Sequence, residues 1–257
     1  MNIIFHILCI HSVLADLTVL AFSRGSGANS RNSKSGFIQR LPFQLRATEA
    51  NPEKDDFFSK EEWIPIKRDM DQVPVFTVAS KEGNPLAYEV VKDGKTYQVA
   101  TIYCDIEAAK KELEQILEAK GKDSGIDLIP IPLGQAFELW GKDRAVLVPG
   151  QNAILQAGAP PGTQPIGQQV PMFACMDIME QKEDGSGVLP LFLSLEDANA
   201  ALEAAVATDG GSVDDFEVTS LSLNRAVELL ATVPETPAFH FIPDSRSMEY
   251  IQEYLTE

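Results

Sequence analysis

Two stretches of this chain carry the same apolar framework in the same order. Val73-Pro74-Val75-Phe76 recurs as Val170-Pro171-Met172-Phe173. Downstream, Ile106, Ala109, Leu113, Ile116 and Leu117 fall on one face of a helical pattern, and Leu195, Ala198, Leu202, Ala205 and Val206 repeat those increments. Leu133-Gly134-Gln135-Ala136-Phe137-Glu138-Leu139 then aligns with Leu223-Asn224-Arg225-Ala226-Val227-Glu228-Leu229, and Val146-Leu147-Val148-Pro149 with His240-Phe241-Ile242-Pro243. Neither half has much core of its own, so such a chain is driven to pack two similar units against each other. The expected fold class is α+β. Two tandem homologous α/β repeats, each a strand or hairpin, helix, strand, helix and strand, are related by a pseudo-twofold and followed by a C-terminal helix.

The spacing between matching residues changes along the chain, from 97 at the first strand to 89 at the first helix, 90 at the second and 94 at the last strand. The second copy therefore loses sequence between its first strand and first helix. In the first copy that stretch reads as a hairpin, 87–91 and 96–103 around Asp93-Gly94, since an Asp-Gly pair supplies the positive backbone angles of a tight turn. In the second, residues 181–187 read as a looser polar loop. The divisions that follow are a signal-like segment at 1–22, a transit-peptide-like segment at 23–47, a linker and N-terminal extension at 48–72, repeat one at 73–149, a linker at 150–169, and repeat two with its C-terminal helix at 170–257. The 150–169 linker centres on Ala159-Pro160-Pro161-Gly162, whose residues sustain neither helix nor ladder. The C-terminal helix is expected from Met248, Ile251, Tyr254 and Leu255 at helical spacing.

Charge separates the amino terminus from the rest. With 44% hydrophobic and 23% charged residues the chain is ordinary for a globular protein, yet its formal net charge is -17. The first 46 residues hold Arg24, Arg31, Lys34, Arg40 and Arg46 against Asp16 alone, leaving 16 bases against 37 acids in the remainder. So acidic a body repels phosphate backbones, which excludes nucleic acid as partner, and attracts basic polypeptides. The mostly apolar residues 3–22, followed by a basic, Ser-rich, acid-free stretch, have the composition of a signal sequence joined to a plastid transit peptide. Ala21-Phe22 resembles the cleavage context of two-part presequences of complex plastids. A retained membrane anchor of about 20 residues is the competing reading.

Catalytic chemistry is sparse. Outside the leader the sole histidine is His240, within the alternating run Phe239-His240-Phe241-Ile242, and Cys104 and Cys175 lie in strand-like runs without CxxC spacing. Neither a zinc site of usual ligation nor a Ser-His-Asp or Cys-His set is announced, and there is no GxSxG, GxGxxG or GxxxxGK[ST]. Buried free thiols are the expected state of the cysteines, although a Cys104 to Cys175 disulfide stays open on sequence grounds. Asp105 and Ser194 read as helix N-caps, with Glu107 and Glu196 in the favourable first turns. Asp214-Asp215 reads as a pair of solvated loop acids. No catalytic residue, metal site or cofactor is expected.

The Val-Pro-x-Phe strand, the Phe or Tyr strand leading into an acid-capped helix (Phe192-Leu193-Ser194-Leu195-Glu196-Asp197-Ala198), the Ala-Phe-Glu-Leu and Ala-Val-Glu-Leu helices and the Pro-ended closing strand resemble the Tic 22-kDa-like family of chloroplast protein-import components. The resemblance covers roughly residues 70–243. It implies a non-enzymatic protein attached peripherally in the plastid envelope intermembrane space, meeting precursor polypeptides with basic transit peptides and passing them to inner-envelope translocon components, like a chaperone. A scaffold docking one folded partner is the alternative. For client binding, apolar side chains on the repeat sheets, Val75, Phe76, Val78, Met172, Phe173 and Met176, are expected to line shallow grooves, methionine being adaptable to varied partners. Strand alternation requires that some of them are core instead.

Overall fold

A computed structural model describes residues 5–7, 57–92, 95–181, 187–232 and 238–254. The transit-peptide-like segment and most of the signal-like one lie outside the described residues, as does the Asp93-Gly94 turn.

The chain forms two mixed sheets, each mainly antiparallel, with helices between and outside them. In the first, β2 (Pro74–Ser80) lies between β4 (Lys95–Tyr103) and β5 (Ile126–Pro132), β3 (Ala87–Lys92) pairs antiparallel with β4, and β6 (Ala145–Val148) runs parallel to the far end of β4. In the second, β7 (Pro171–Cys175) lies between β9 (Gly187–Phe192) and β10 (Val218–Ser222), β8 (Ile178–Gln181) pairs antiparallel with β9, and β11 (Ala238–Ile242) runs parallel to it. A short strand β1 (Phe5–Ile7) borders β8, with Phe5 opposite Glu180. Registers correspond across the sheets. Phe76 faces Tyr103 as Phe173 faces Phe192, and Tyr103 faces Val148 as Phe192 faces Ile242. The Leu133 amide donates to the Val73 carbonyl at 2.9 Å, and the Leu223 amide to that of Val170 at 2.8 Å.

Helices follow in matching places: α2 (Ile106–Lys120) and α5 (Leu195–Asp209) after β4 and β9, α3 (Leu133–Gly141) and α6 (Leu223–Thr232) after β5 and β10, α4 (Gln151–Gln156) and α7 (Ser245–Tyr254) after β6 and β11. The two long helices begin where their caps predict. The Ala108 amide donates to Asp105 Oδ1 at 2.7 Å and the Asp197 amide to Ser194 Oγ at 3.2 Å, each satisfying a first-turn donor that has no partner within its helix. β5, a sheet edge, carries Pro130 and Pro132, whose missing N–H groups do no harm on an edge strand.

Three stretches correct the expectations or add to them. First, the second copy keeps a hairpin, β8 and β9 pairing antiparallel with Gln181 opposite Gly187 on either side of residues 182–186, which lie outside the described residues; of the eight residues it loses, four come from the preceding connection, which shrinks from residues 81–86 to Met176-Asp177, and the balance from shorter strands. The consecutive apolar residues Ile178 and Met179, 2% and 4% exposed, bury the two faces of β8 and sustain the strand. Second, the 48–72 extension contains helix α1 (Trp63–Met70), with Trp63, Ile66 and Met70 buried. Pro65 sits in its first turn, where no intrahelical partner awaits its missing N–H. Third, residues 151–156 of the linker are helical, because the Pro and Gly that forbid helix begin only at Gly158.

The core sits between the sheets. Val75, Ile102 and Leu147 of one sheet share a cluster with Met172, Leu191 and Phe241 of the other, and α1, α3 and α6 fill the layer between them. Trp63, Phe137, Phe58 and Trp140 form an aromatic group there, with Trp63 and Phe137 centroids 5.8 Å apart. α1 is tied to both halves: Trp63 Nε1 donates to Glu138 Oε1 at 2.7 Å, and Asp69 Oδ2 accepts from the Phe241 amide at 2.9 Å.

Candidate polypeptide-binding surface

β2 and β7 are central strands covered on both faces, and this decides the fate of the proposed groove residues. Val75 and Met172 point into the shared core, while Phe76 and Val78 point outward beneath α2, and Phe173 beneath α5. Val75 and Phe76 are 0% exposed, Met172 and Phe173 1%, and Val78 4%. These five are core and present no surface, which corrects the groove expectation: alternation sorts side chains between faces but does not say whether the outer face is covered. Met176, at the β7–β8 turn, is half-buried against the shared core.

What covers the outer faces was less legible, because it comes from the opposite half. α7, after the last strand of the second sheet, lies on the first: Tyr250 and Ile251 pack on the cluster containing Phe76, Val78, Tyr103 and Leu128, and the Tyr250 ring meets Phe76 edge-on at 5.6 Å. α4, after the last strand of the first sheet, lies on the second, with Ala153 packed on Phe173, Phe192 and Ala198. The signal available in the sequence was the helical spacing of Tyr250 and Ile251. Their destination was not.

The two crossing chains meet where the N-termini of α2, α4, α5 and α7 converge on a small polar pocket. Asp105, Gly150, Ser194, Glu196, Asp244 and Arg246 are among its lining. Four positive helix ends and one guanidinium are balanced by the acids at the first turns. Arg246 Nη2 lies 2.8 Å from Asp244 Oδ2 and 3.5 Å from Asp105 Oδ2, and the Asp244 hydrogen bond, with the surrounding carboxylates, raises its already high pKa. The Ser245 amide donates to Asp197 Oδ2 at 2.9 Å, so an acid of α5 helps cap α7. Glu196 accepts from Gln156 of α4 at 2.9 Å, and that bond holds its carboxyl below the usual range. Cys104 reaches this pocket, but burial, with the Asp105 charge beside it, pushes its thiol up to about 12, so at neutral pH it is a thiol and a poor nucleophile.

The remaining candidates of the sequence are placed plainly. Cys104 and Cys175 are free and buried. His240 Nδ1 lies 2.7 Å from Glu180 Oε2 across β11 and β8. Asp214 and Asp215 stand exposed in a short 3-10 turn, and among the described residues no group of His, Cys, Asp and Glu is arranged to hold a metal ion. Beside the face covered by α7, the Tyr88 hydroxyl donates to Glu112 of α2, and burial together with that carboxylate pushes Tyr88 up to about 12. Among the described residues, no helix is long and apolar enough to cross a membrane.

These features define a class: a two-sheet α+β protein with a shared inner layer and crossed outer helices. Among solved structures, Tic22 from Plasmodium falciparum matches it with a TM-score of 0.60 at 23% identity, over 74% of this chain and 98% of that one. Anabaena Tic22, described with the words protein transport, matches with a TM-score of 0.58 at 22% identity, over 74% and 96%. This chain has a Tic22-like fold. No protein-family model and no curated protein matches it.

Proposed function

We propose that this chain is a non-enzymatic plastid protein-import factor. It binds precursor polypeptides with basic transit peptides in the envelope intermembrane space of a complex plastid and passes them, chaperone-like and without ATP, to inner-envelope translocon components, with peripheral membrane association. The observation that carries the reading is the Tic22-like fold over nearly the whole length of two solved Tic22 structures. The acid surplus of residues 47–257 supports it, since that field draws in basic segments. We also read the two sheets as tandem homologous units about a pseudo-twofold, and the matching strand orders, registers and crossed helices support that reading.

The test is suppression of aggregation. The purified chain, without ATP, is expected to hold a chemically denatured client below the light-scattering threshold, and a basic transit peptide is expected to bind more weakly as salt rises from 0.05 to 0.5 M, roughly the range over which screening shortens below 10 Å. Failure to suppress aggregation of any unrelated protein would defeat the chaperone-like reading. The alternative is a plastid scaffold that docks one folded partner. The burial of Val75, Phe76, Val78, Met172 and Phe173 favours it, because no open groove is formed by them.

A further inference from the structure

The second sheet has a strand that the doubled framework does not supply. β1 belongs to the signal-like segment ahead of both repeats, and it pairs antiparallel with β8: Phe5 opposite Glu180, His6 opposite Met179, Ile7 opposite Ile178. Glu180 also faces Val188 of β9, so β1 lies on the side of β8 turned away from β9. Among the described residues no other strand reaches that side. β10 borders β7 and stops with Val218 opposite Cys175, whereas β5, its counterpart, accompanies all of β2 from Pro74 to Ser80. The β5 edge is guarded by Pro130 and Pro132, but β8, Ile178-Met179-Glu180-Gln181, has neither proline nor lysine. A row of edge N–H and C=O groups without such a guard is a template for another strand. Next to it stands α5, adjacent to β1, whose Leu202, Ala205 and Val206 share an apolar cluster with Ile178. From β11, across β9, His240 Nδ1 meets Glu180 Oε2 at 2.7 Å and fixes the end of this edge.

We propose that the outer edge of β8 is a strand-accepting site, and that its ligand is an extended, uncharged apolar segment of a client polypeptide, added antiparallel to β8 and alongside α5. The occupant class is read from the strand seated there, which lies within Ile3-Ile4-Phe5-His6-Ile7-Leu8-Cys9-Ile10, a run without Asp, Glu, Lys or Arg. Main-chain hydrogen bonds to an edge give affinity to an extended segment, and the apolar ground of α5 favours apolar side chains on the strand face that meets it. The site needs no open groove on β2 or β7, whose outer faces are covered. In the chain that carries its own leader the site is filled in cis. A site so filled about 90% of the time weakens a competing strand about tenfold, because only the open fraction binds. This rests on the polypeptide-binding reading above and names the part of the client engaged, an apolar leader segment of the same kind.

The experiment uses the full chain, and the full chain with Phe5→Pro, His6→Pro and Ile7→Pro, which removes every amide that β1 offers. The probe is a fluorescein-labelled synthetic peptide of residues 2–11 with Cys9→Ser and two C-terminal lysines for solubility. Two further peptides are N-methylated, one at the positions of Phe5 and Ile7, the other at that of His6. Fluorescence anisotropy is expected to show about tenfold tighter binding by the substituted chain than by the unsubstituted one. Alternate amides of a strand point to opposite edges, so one methylation pattern is expected to lose about tenfold in affinity while the other binds nearly as the parent does. The methylated pair is measured on both chains, so a substituted chain that fails to fold still leaves the unsubstituted one to decide. Amide hydrogen exchange at residues 178–180 is expected to quicken in the substituted chain and to slow again when peptide is added. Equal binding by two folded chains, equal effects of the two methylation patterns, or protection appearing away from β8 overturns the proposal. Aggregation suppression measured on the same samples separates the two readings: peptide binding without suppression keeps the site and defeats the chaperone-like function, and suppression without peptide binding does the reverse.

Discussion

At the scale of single residues, the buried apolar positions stabilise the fold and do not serve as contacts. Phe76→Ala is expected to lower the unfolding free energy by about 3–5 kcal/mol in urea titration, because the ring is lost from a fully covered seat. Met176→Ser, half-buried at a turn, should change it by roughly 1 kcal/mol or less. Asp105→Ala should lose about 1 kcal/mol with the cap, whereas Asp105→Asn keeps a capping oxygen and loses only the charge near Arg246. The buried thiol gives a pH signature. The unfolded Cys104 ionises near its ordinary value of about 8.5, and the native one is pushed up to about 12, so the stability is fully present below the first value and is lost as pH rises toward the second. Cys175 shifts in the same direction, so Cys104→Ala should flatten the fall in stability between pH 8 and 10 without abolishing it, while the raised Tyr88 and Tyr103 add their loss above about pH 10.

At the scale of elements, helix positions read from periodicity hold for α2 and α5, whose buried Ile106, Ala109, Ala198, Leu202 and Ala205 lie where the increments placed them. Periodicity failed for α1 and α4, since one holds a proline and the other precedes a proline-rich run, and both were masked by residues that usually end helices. α1 is instead defined by close approach. A Cβ on Gly134 would stand 2.5 Å from Asp71 Oδ1 and 2.9 Å from the Lys67 carbonyl, so α3 meets α1 across a contact that only glycine allows. Gly134→Ala is expected to force the helices apart and destabilise the protein by about 1–3 kcal/mol, read as a lowered thermal midpoint.

At the scale of the whole molecule, the inner layer belongs to both sheets, and each outer face is completed by a helix from the opposite half. Neither half therefore has a finished core. Chains of residues 57–149 and 150–257 made separately are expected to lack dispersed amide and methyl NMR signals, and the intact chain to unfold in one cooperative transition followed identically by tryptophan fluorescence and circular dichroism. Two resolved transitions would show that the halves are stable alone.

From the sequence alone came the doubled framework, the α+β class, the caps at Asp105 and Ser194 and the acidic body, because each depends on local spacing or composition, whereas the disulfide left open between Cys104 and Cys175 was decided by the structure, in which both thiols are free. Only the tertiary structure decided that Val75, Phe76, Val78, Met172 and Phe173 are core, that α1 wedges between the sheets, and that α4 and α7 cross to opposite halves. Alternation and helical periodicity tell which side chains share a face. Which element covers that face depends on contacts between residues far apart in the chain, as between Phe76 and Tyr250, and no local pattern encodes their meeting.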